Sequence, residues 1–225
     1  MMKTILVDHI SCEIAKEDVL ARFGMPPDHA FGAAVEEVIE EMKDVANAKL
    51  LYGKAKVEQW SEEAVTIDGV VFHGRDLSSR LKGVETVYPF LCTCGTEIND
   101  FAWGCKDMVK MLYIDAVMHF YLREAFLILA DKVDNALCAH SYSMAPGSFE
   151  DWQLTEQKPL FELLNQGEGT GVSLSESCIM EPAKSVTGFR FYRPDQPRDC
   201  SRCFYRDCAE RECDFKAAAF DQTLC

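Results

Sequence analysis

Four cysteines near the C-terminus are spaced closely enough to bind one metal centre. They form the pattern Cys-x2-Cys-x4-Cys-x4-Cys, made of Cys200, Cys203, Cys208 and Cys213. Short loops between ligands lose little entropy on closure, and thiolates suit zinc or the irons of an iron–sulfur cluster. Structural zinc usually takes two Cys-x2-Cys pairs, whereas ferredoxin-type motifs have shorter gaps and a proline after the last cysteine. The spacing here matches neither pattern fully. We predict a [4Fe–4S] cluster, with zinc and unliganded thiols as alternatives.

The other cysteines are predicted to be reduced. The chain has 11 cysteines, and its N-terminal apolar run, Ile5-Leu6-Val7, ends at Asp8, which is too early for an export signal. Cysteines in such a chain are metal ligands or small apolar side chains rather than disulfides. Cys92, Cys94 and Cys105 are expected to be structural, because one intervening residue is too tight for the usual zinc pair. These features predict a cytoplasmic localisation.

Charge and hydropathy argue against two classes of partner. The net charge of −14 leaves no basic stripe along most of the chain, so a nucleic acid backbone would find few cations. The most apolar region, residues 108–130, is interrupted by several charged side chains and therefore does not resemble a membrane span. We predict neither a nucleic acid nor a membrane as the partner.

The hydrophobic pattern predicts an α+β fold with an antiparallel sheet packed by helices. Hairpins outnumber βαβ units, and Asp68-Gly69 marks a type I′ turn between two short strands. The first helix is predicted at residues 11–23 with Ser11 as its cap, and a second helix is predicted to begin after a cap at Asp28. Further helices are predicted at residues 76–80, 107–137 and 155–165. Strands are predicted at residues 4–10, 48–60, 64–72, 84–92 and 136–141, followed by a final strand pair.

A change in composition near residue 194 predicts a domain boundary. Pro194 and Pro197 end the last predicted strand, and the cysteine-rich segment follows directly. The length suits one domain with a small appendix. We predict an α+β domain at residues 1–193 and a metal-binding tail at residues 194–225.

The region from Ala139 to Tyr192 contains a characteristic series of motifs. In chain order they are Pro146-Gly147, Thr155-Glu156-Gln157-Lys158, Leu160-Phe161-Glu162-Leu163-Leu164, Ser175-Glu176-Ser177, Met180-Glu181-Pro182 and Ser185-Val186-Thr187-Gly188. This series resembles the reactivation domain of cobalamin-dependent methionine synthase, a module that binds S-adenosylmethionine and rescues oxidised cobalamin. The resemblance implies a twisted antiparallel sheet packed by helices.

The resemblance also implies where S-adenosylmethionine would bind. The family has an arginine before the glycine of the Pro146-Gly147 turn and a tyrosine after it, where this chain has Ser143 and Ser148. The turn glycine and the strand glutamate, here Glu176, are kept. Arg190 replaces another family tyrosine and is a candidate for the missing cation. Since serine cannot grip a carboxylate as a guanidinium does, we expect weak binding of S-adenosylmethionine.

The implied function is the reactivation of a corrinoid held by a separate protein. The partner would be a corrinoid-binding protein or methyltransferase, and an electron donor would also be needed. A [4Fe–4S] cluster could deliver the electron, because such clusters reach potentials of about −700 mV. One alternative is a non-catalytic docking module whose tail binds zinc, and another is a methyl-transfer accessory enzyme for a different corrinoid system.

Overall fold

The computed structural model describes residues 2–194, which form an α+β fold as predicted. The strands are β1 Thr4–Ile10, β2 Ala48–Gly53, β3 Ala55–Trp60, β4 Ala64–Ile67, β5 Val70–His73, β6 Thr86–Thr93, β7 Tyr142–Met144, β8 Ser173–Leu174, β9 Met180–Glu181 and β10 Ser185–Phe191. The helices are α1 Lys16–Arg22, α2 Gly32–Lys43, α3 Arg75–Leu81, α4 Thr96–Gly104, α5 Met108–Leu137 and α6 Gln157–Leu163, with 3-10 turns at Leu154–Glu156 and Asn165–Gly167.

The main sheet is antiparallel, and β6 lies between β10 on one edge and β2 with β3 on the other. Strand β6 pairs with β10 along its length, with β2 through residues 90–93 and with β3 through residues 86–87. Strands β2 and β3 keep one register along the same edge of β6, from Lys49 opposite Thr93 to Lys56 opposite Thr86. They therefore form a single strand interrupted at Lys54, close to the strand predicted at residues 48–60. Beyond them β1 pairs with β2, the β4–β5 hairpin extends β3, and β7 extends β10.

Two apolar cores lie on opposite sides of this sheet. Successive strand residues point to opposite faces, so Phe90 of β6 enters the core shared with α1, α2 and α5, and Leu91 enters the other. The second core also takes Phe189 and Phe191 of β10 and the buried Trp152. The side chain between those two phenylalanines, Arg190, therefore lies on the α5 side.

The predicted hairpin turn and the predicted long helix are confirmed. The Asp68-Gly69 turn has positive φ at both residues, 44° and 82°, as a type I′ turn requires. The long helix has the Asp107 carboxylate as its cap, which accepts hydrogen bonds from the backbone N–H of Val109 and Lys110. Across residues 2–194, no helix is long and apolar enough to cross a membrane.

Two predicted helix starts are wrong. Helix α1 begins at Lys16 rather than after Ser11, and α2 begins at Gly32 rather than after Asp28. Residues 11–15 are used to cross from the sheet edge to the helix layer, where the Cys12 thiol donates to the backbone oxygen of Phe120.

The predicted strand at residues 136–141 is also wrong. Helix α5 continues to Leu137 and ends at Cys138, which has a left-handed φ of 52°. The Asp134 carboxylate then accepts a hydrogen bond from the backbone N–H of Ser141, which holds the turn against the helix end. Strand β7 therefore begins only at Tyr142.

Candidate functional site

A small cleft lies beside the Pro146-Gly147 turn. Gly147 has a φ of 83°, and its backbone N–H donates to the Trp152 oxygen over 2.7 Å, so a buried tryptophan fixes the turn. The cleft has a volume of about 260 Å³. Its lining has no charged side chain and consists of Ala145, Pro146, Gly147, Ser148, Leu154, Gln157, Met180, Ser185, Val186 and Thr187.

The walls of this cleft come from four parts of the chain. The turn after β7 forms one wall, the start of α6 contributes Gln157, and β9 contributes Met180. On β10, the Thr187 hydroxyl is buried and donates to the backbone oxygen of Phe90 over 2.6 Å. One wall of the cleft is therefore formed by a hydrogen-bonded strand of the sheet.

Glu176 lies in a second cleft. This cleft has a volume of about 490 Å³ and is lined by residues of α6 and of the β8 end, including Lys158, Phe161 and Glu162. Leu174 of β8 lines it as well, whereas Met180 of β9 lines the first cleft. The two strands of the small β8–β9 hairpin thus contribute to neighbouring clefts, and Glu176 and Pro146-Gly147 line different ones.

Arg190 is directly opposite Ser143 in the β10–β7 pairing, but its guanidinium is already engaged. Only 1% of the residue is exposed, and its nitrogens donate to the hydroxyl and the backbone oxygen of Ser141 over 2.8 and 3.2 Å. Asp134 lies 3.6 Å away as the counter-charge, and the Phe126 ring lies beneath the guanidinium at 5.5 Å. Arg190 does not line the Pro146-Gly147 cleft, so the structure does not support it as a substitute clamp for a ligand carboxylate.

The carboxyl group of Asp134 is held in its charged form. Burial by itself would raise its pKa, but the hydrogen bonds from the Ser141 hydroxyl and backbone N–H oppose this, as do the His140 ring and the charge of Arg190. The net result is a pKa below the usual value for aspartate. This charged cluster joins the end of α5 to β10, and it fits a structural role.

The cysteines of β6 and of the turn after it are buried in the fold. Cys92 is fully buried, as expected for the end of a buried strand, Cys94 is fully buried as well, and Cys105 is partly buried. Burial raises the pKa of the Cys94 thiol to about 12, so it remains protonated and unreactive near neutral pH. In residues 2–194, no group of three or more His, Cys, Asp or Glu side chains is placed to hold a metal ion. The predicted metal ligands Cys200, Cys203, Cys208 and Cys213 lie outside the described residues.

Two comparisons with known proteins agree with the resemblance predicted from the sequence. Residues 130–199 match the family model for "Vitamin B12 dependent methionine synthase, activation domain". The crystal structure of the MetH reactivation domain bound to AdoHcy is similar to this chain, with a TM-score of 0.64 and 18% sequence identity. That similarity covers 87% of this chain and 80% of the other. The structural comparison shows the shared fold, and the family match places the sequence similarity on both clefts and on Arg190.

Sequence reasoning missed Gln157, although the pattern contained a signal. Gln157 is three, four and seven residues before Leu160, Phe161 and Leu164, which are all buried. A polar residue at the start of an apolar helical stripe needs a partner, because it will be buried with its neighbours. The family pattern that this segment resembles is Thr-Glu-x-Lys, in which the position of Gln157 is variable, so no role was predicted for Gln157.

Proposed function

We propose that this protein reactivates the corrinoid cofactor of a separate methionine synthase or related corrinoid methyltransferase. The observation that supports this most is the match of residues 130–199 to the methionine synthase activation domain, on a chain whose fold resembles a reactivation domain. Corrinoid methyltransferases work through cobalt(I), and occasional loss of one electron leaves inactive cobalt(II). The substrate of this protein would be that cobalt(II) corrinoid on its partner.

The reaction consumes one electron and one methyl group. A low-potential donor reduces cobalt(II) to cobalt(I). The cobalt(I) electron pair then attacks the methyl carbon of S-adenosylmethionine, so a cobalt–carbon bond forms and the sulfur–methyl bond breaks. S-adenosylhomocysteine leaves with the bonding electron pair on sulfur, which removes its positive charge. Methylation removes cobalt(I) as it forms, so the unfavourable reduction of cobalt(II) can proceed.

We assign the binding of S-adenosylmethionine to the Pro146-Gly147 cleft. The turn backbone and the hydroxyls of Ser148 and Thr187 offer polar contacts among apolar walls. Since Ser143 provides no cation and the Arg190 guanidinium is bonded elsewhere, we expect the ligand carboxylate to gain little from this chain. Binding should be weak, at about a hundred micromolar or above, if a complete family site binds in the low micromolar range.

Methyl transfer to the partner tests this proposal directly. A corrinoid-binding methyltransferase from the same cell, held in the cobalt(II) state, is mixed with the protein, S-adenosylmethionine and titanium(III) citrate. We expect the absorbance of the methylated corrinoid to appear only when the protein is present. Equal rates with and without the protein would contradict the proposal.

The partner should dock over the two clefts on either side of the β8–β9 hairpin. Glu176 is exposed there, so Glu176→Arg would reverse a charge on this face without disturbing a core. The comparison variant is on the exposed apolar surface near the start of α5, where Leu112 is 57% exposed. We expect Glu176→Arg to weaken partner binding and Leu112→Ser to leave it unchanged. The opposite result would place the docking surface on α5.

The cysteine-rich tail is proposed to bind one metal centre through Cys200, Cys203, Cys208 and Cys213. Four thiolates suit a [4Fe–4S] cluster or zinc, and a cluster could supply the electron for reduction. Metal analysis of protein purified without oxygen distinguishes the two. Iron with sulfide supports the redox role, whereas zinc supports the alternative of a docking module with a metal-stabilised tail. Unchanged metal content in all four single Cys→Ser variants would show that these residues are not the ligands.

A further inference from the structure

The Pro146-Gly147 cleft differs from a site built for an amino acid. An amino acid has a carboxylate and an ammonium group, and proteins usually bind them with opposite charges. None of the residues that line this cleft is charged. At about 260 Å³ the cleft lies just below the usual range for sites that enclose a drug-sized ligand. An uncharged, flat part of a ligand therefore fits it better than a charged end.

Gln157 is a polar residue of this cleft whose side-chain oxygen has no partner among residues 2–194. The residue lines the cleft and is only 6% exposed. Its side-chain oxygen is buried, and no residue within the described range donates a hydrogen bond to it. Most buried polar atoms in proteins are hydrogen-bonded, because an unsatisfied one loses its interaction with water and gains nothing. A buried oxygen without a partner favours a turn of the side chain that brings the oxygen to the cleft, where a ligand can donate a hydrogen bond to it.

A carboxamide is the side-chain group that best matches the edge of adenine. It offers one acceptor and one donor side by side, and adenine offers the complementary pair of an amino group and a neighbouring ring nitrogen. The side chain can turn about its last bond, so either its oxygen or its nitrogen can face the cleft. Apolar walls from Leu154, Met180 and Val186 suit the faces of a flat base.

We propose that Gln157 binds the adenine base of an S-adenosyl ligand and that the Pro146-Gly147 cleft is selective for the nucleoside end. This inference rests on the proposed function for the class of ligand. Affinity then depends on the amino group of the base and hardly on the methionine end. A nucleoside alone should bind nearly as well as the whole S-adenosyl compound.

Equilibrium binding with four probes tests the inference: S-adenosylmethionine, adenosine, methionine, and purine riboside, which lacks the amino group of adenosine. For the native protein we expect adenosine to bind within about tenfold of S-adenosylmethionine, and methionine not to bind. Purine riboside should bind about tenfold more weakly than adenosine, because the base contact is lost.

The variant Gln157→Met keeps the length of the side chain and removes its polar group. We expect it to bind adenosine and purine riboside equally. Thermal unfolding should show equal or greater stability, since an unsatisfied buried acceptor is replaced by an apolar group. The matched control is Gln153→Met, at an exposed position outside the cleft lining, which should keep the native preference.

The outcomes separate this inference from the proposed function. Equal binding of adenosine and purine riboside by the native protein overturns the role of Gln157, even if the variant does not fold. So does a Gln157→Met variant that keeps the native preference. Binding of S-adenosylmethionine without adenosine overturns nucleoside selectivity but leaves the proposed methyl transfer intact. If none of the probes binds, the inference and the S-adenosylmethionine step both fail, while corrinoid docking is still tested by partner binding.

Discussion

Arg190 shows how one buried charge can join two elements of the fold. Its guanidinium bonds to Ser141 and lies 3.6 Å from the Asp134 carboxylate, which is about one quarter exposed. Removing one partner of a buried pair costs about 3–5 kcal/mol, and the partial exposure of Asp134 should reduce that to about 2 kcal/mol. We expect Asp134→Asn to lower the free energy of unfolding by this amount in urea denaturation. The exposed Asp131 is on the same helix one turn earlier, and Asp131→Asn should have little effect.

The Asp134 carboxylate should also make the free energy of unfolding fall at acid pH. The pKa of Asp134 is lower in the folded protein than in an unfolded chain, where aspartate titrates near pH 3.9. Its contribution is therefore complete above about pH 5 and is lost as the pH falls through the folded pKa. Urea midpoints measured from pH 6 to pH 3 should fall more steeply for the native protein than for Asp134→Asn. If the urea midpoints of the two proteins fell in parallel, Asp134 would not be the cause of the pH dependence.

At the scale of elements, the pairing of β7 with β10 sets the shape of the cleft. Gly188 lies next to the first residue of β10 that pairs with β7, and a Cβ atom there would collide with the backbone oxygen of Met144. Because backbone cannot move aside as a flexible side chain can, we expect Gly188→Ala to destabilise the protein by about 3 kcal/mol. It should also weaken ligand binding at the turn that follows β7.

A second glycine provides the control for that substitution. Gly104 ends α4 with open space around its Cα, so Gly104→Ala should be neutral or stabilise the protein by up to about 1 kcal/mol. Thermal unfolding of the two variants measures the difference. If Gly188→Ala were as stable as the native protein, β7 would be free to shift and would not fix the cleft.

The elements differ in how well the sequence could predict them. Strand β6 and the Asp68-Gly69 hairpin follow from local signals, since a buried strand needs continuous apolar residues and a tight turn needs positive φ. The starts of α1 and α2 do not, because the capping residues Ser11 and Asp28 compete with a crossing whose length depends on distant helix packing. Gln157 could not be given its role either, because its lack of a partner becomes visible only when α6, β9 and the turn after β7 come together.

For the molecule as a whole, residues 2–194 contain two apolar cores. Arg193 fixes the end of β10, since its guanidinium donates to the backbone oxygens of Ser79 and Arg80 over 2.8 and 3.2 Å. The domain boundary predicted near residue 194 therefore remains a prediction with a clear test. We expect a chain truncated after Pro194 to keep the native circular dichroism spectrum and melting temperature within a few degrees. A large loss of stability would mean that the cysteine-rich segment belongs to the folded domain.

The position of β6 between two cores has a consequence for how the protein unfolds. Phe90 and Leu91 are neighbours on β6 but belong to different cores, so neither core can lose this strand without exposing the other. Two spectroscopic probes, one in each core, should therefore report the same denaturation midpoint, as in a two-state transition. The environment of Trp152 reports one core, and hydrogen exchange at the Val117 amide in α5 reports the other. Coincident curves would show that the helix layer and the cleft layer form a single cooperative unit, in which ligand binding at the cleft also slows exchange in α5.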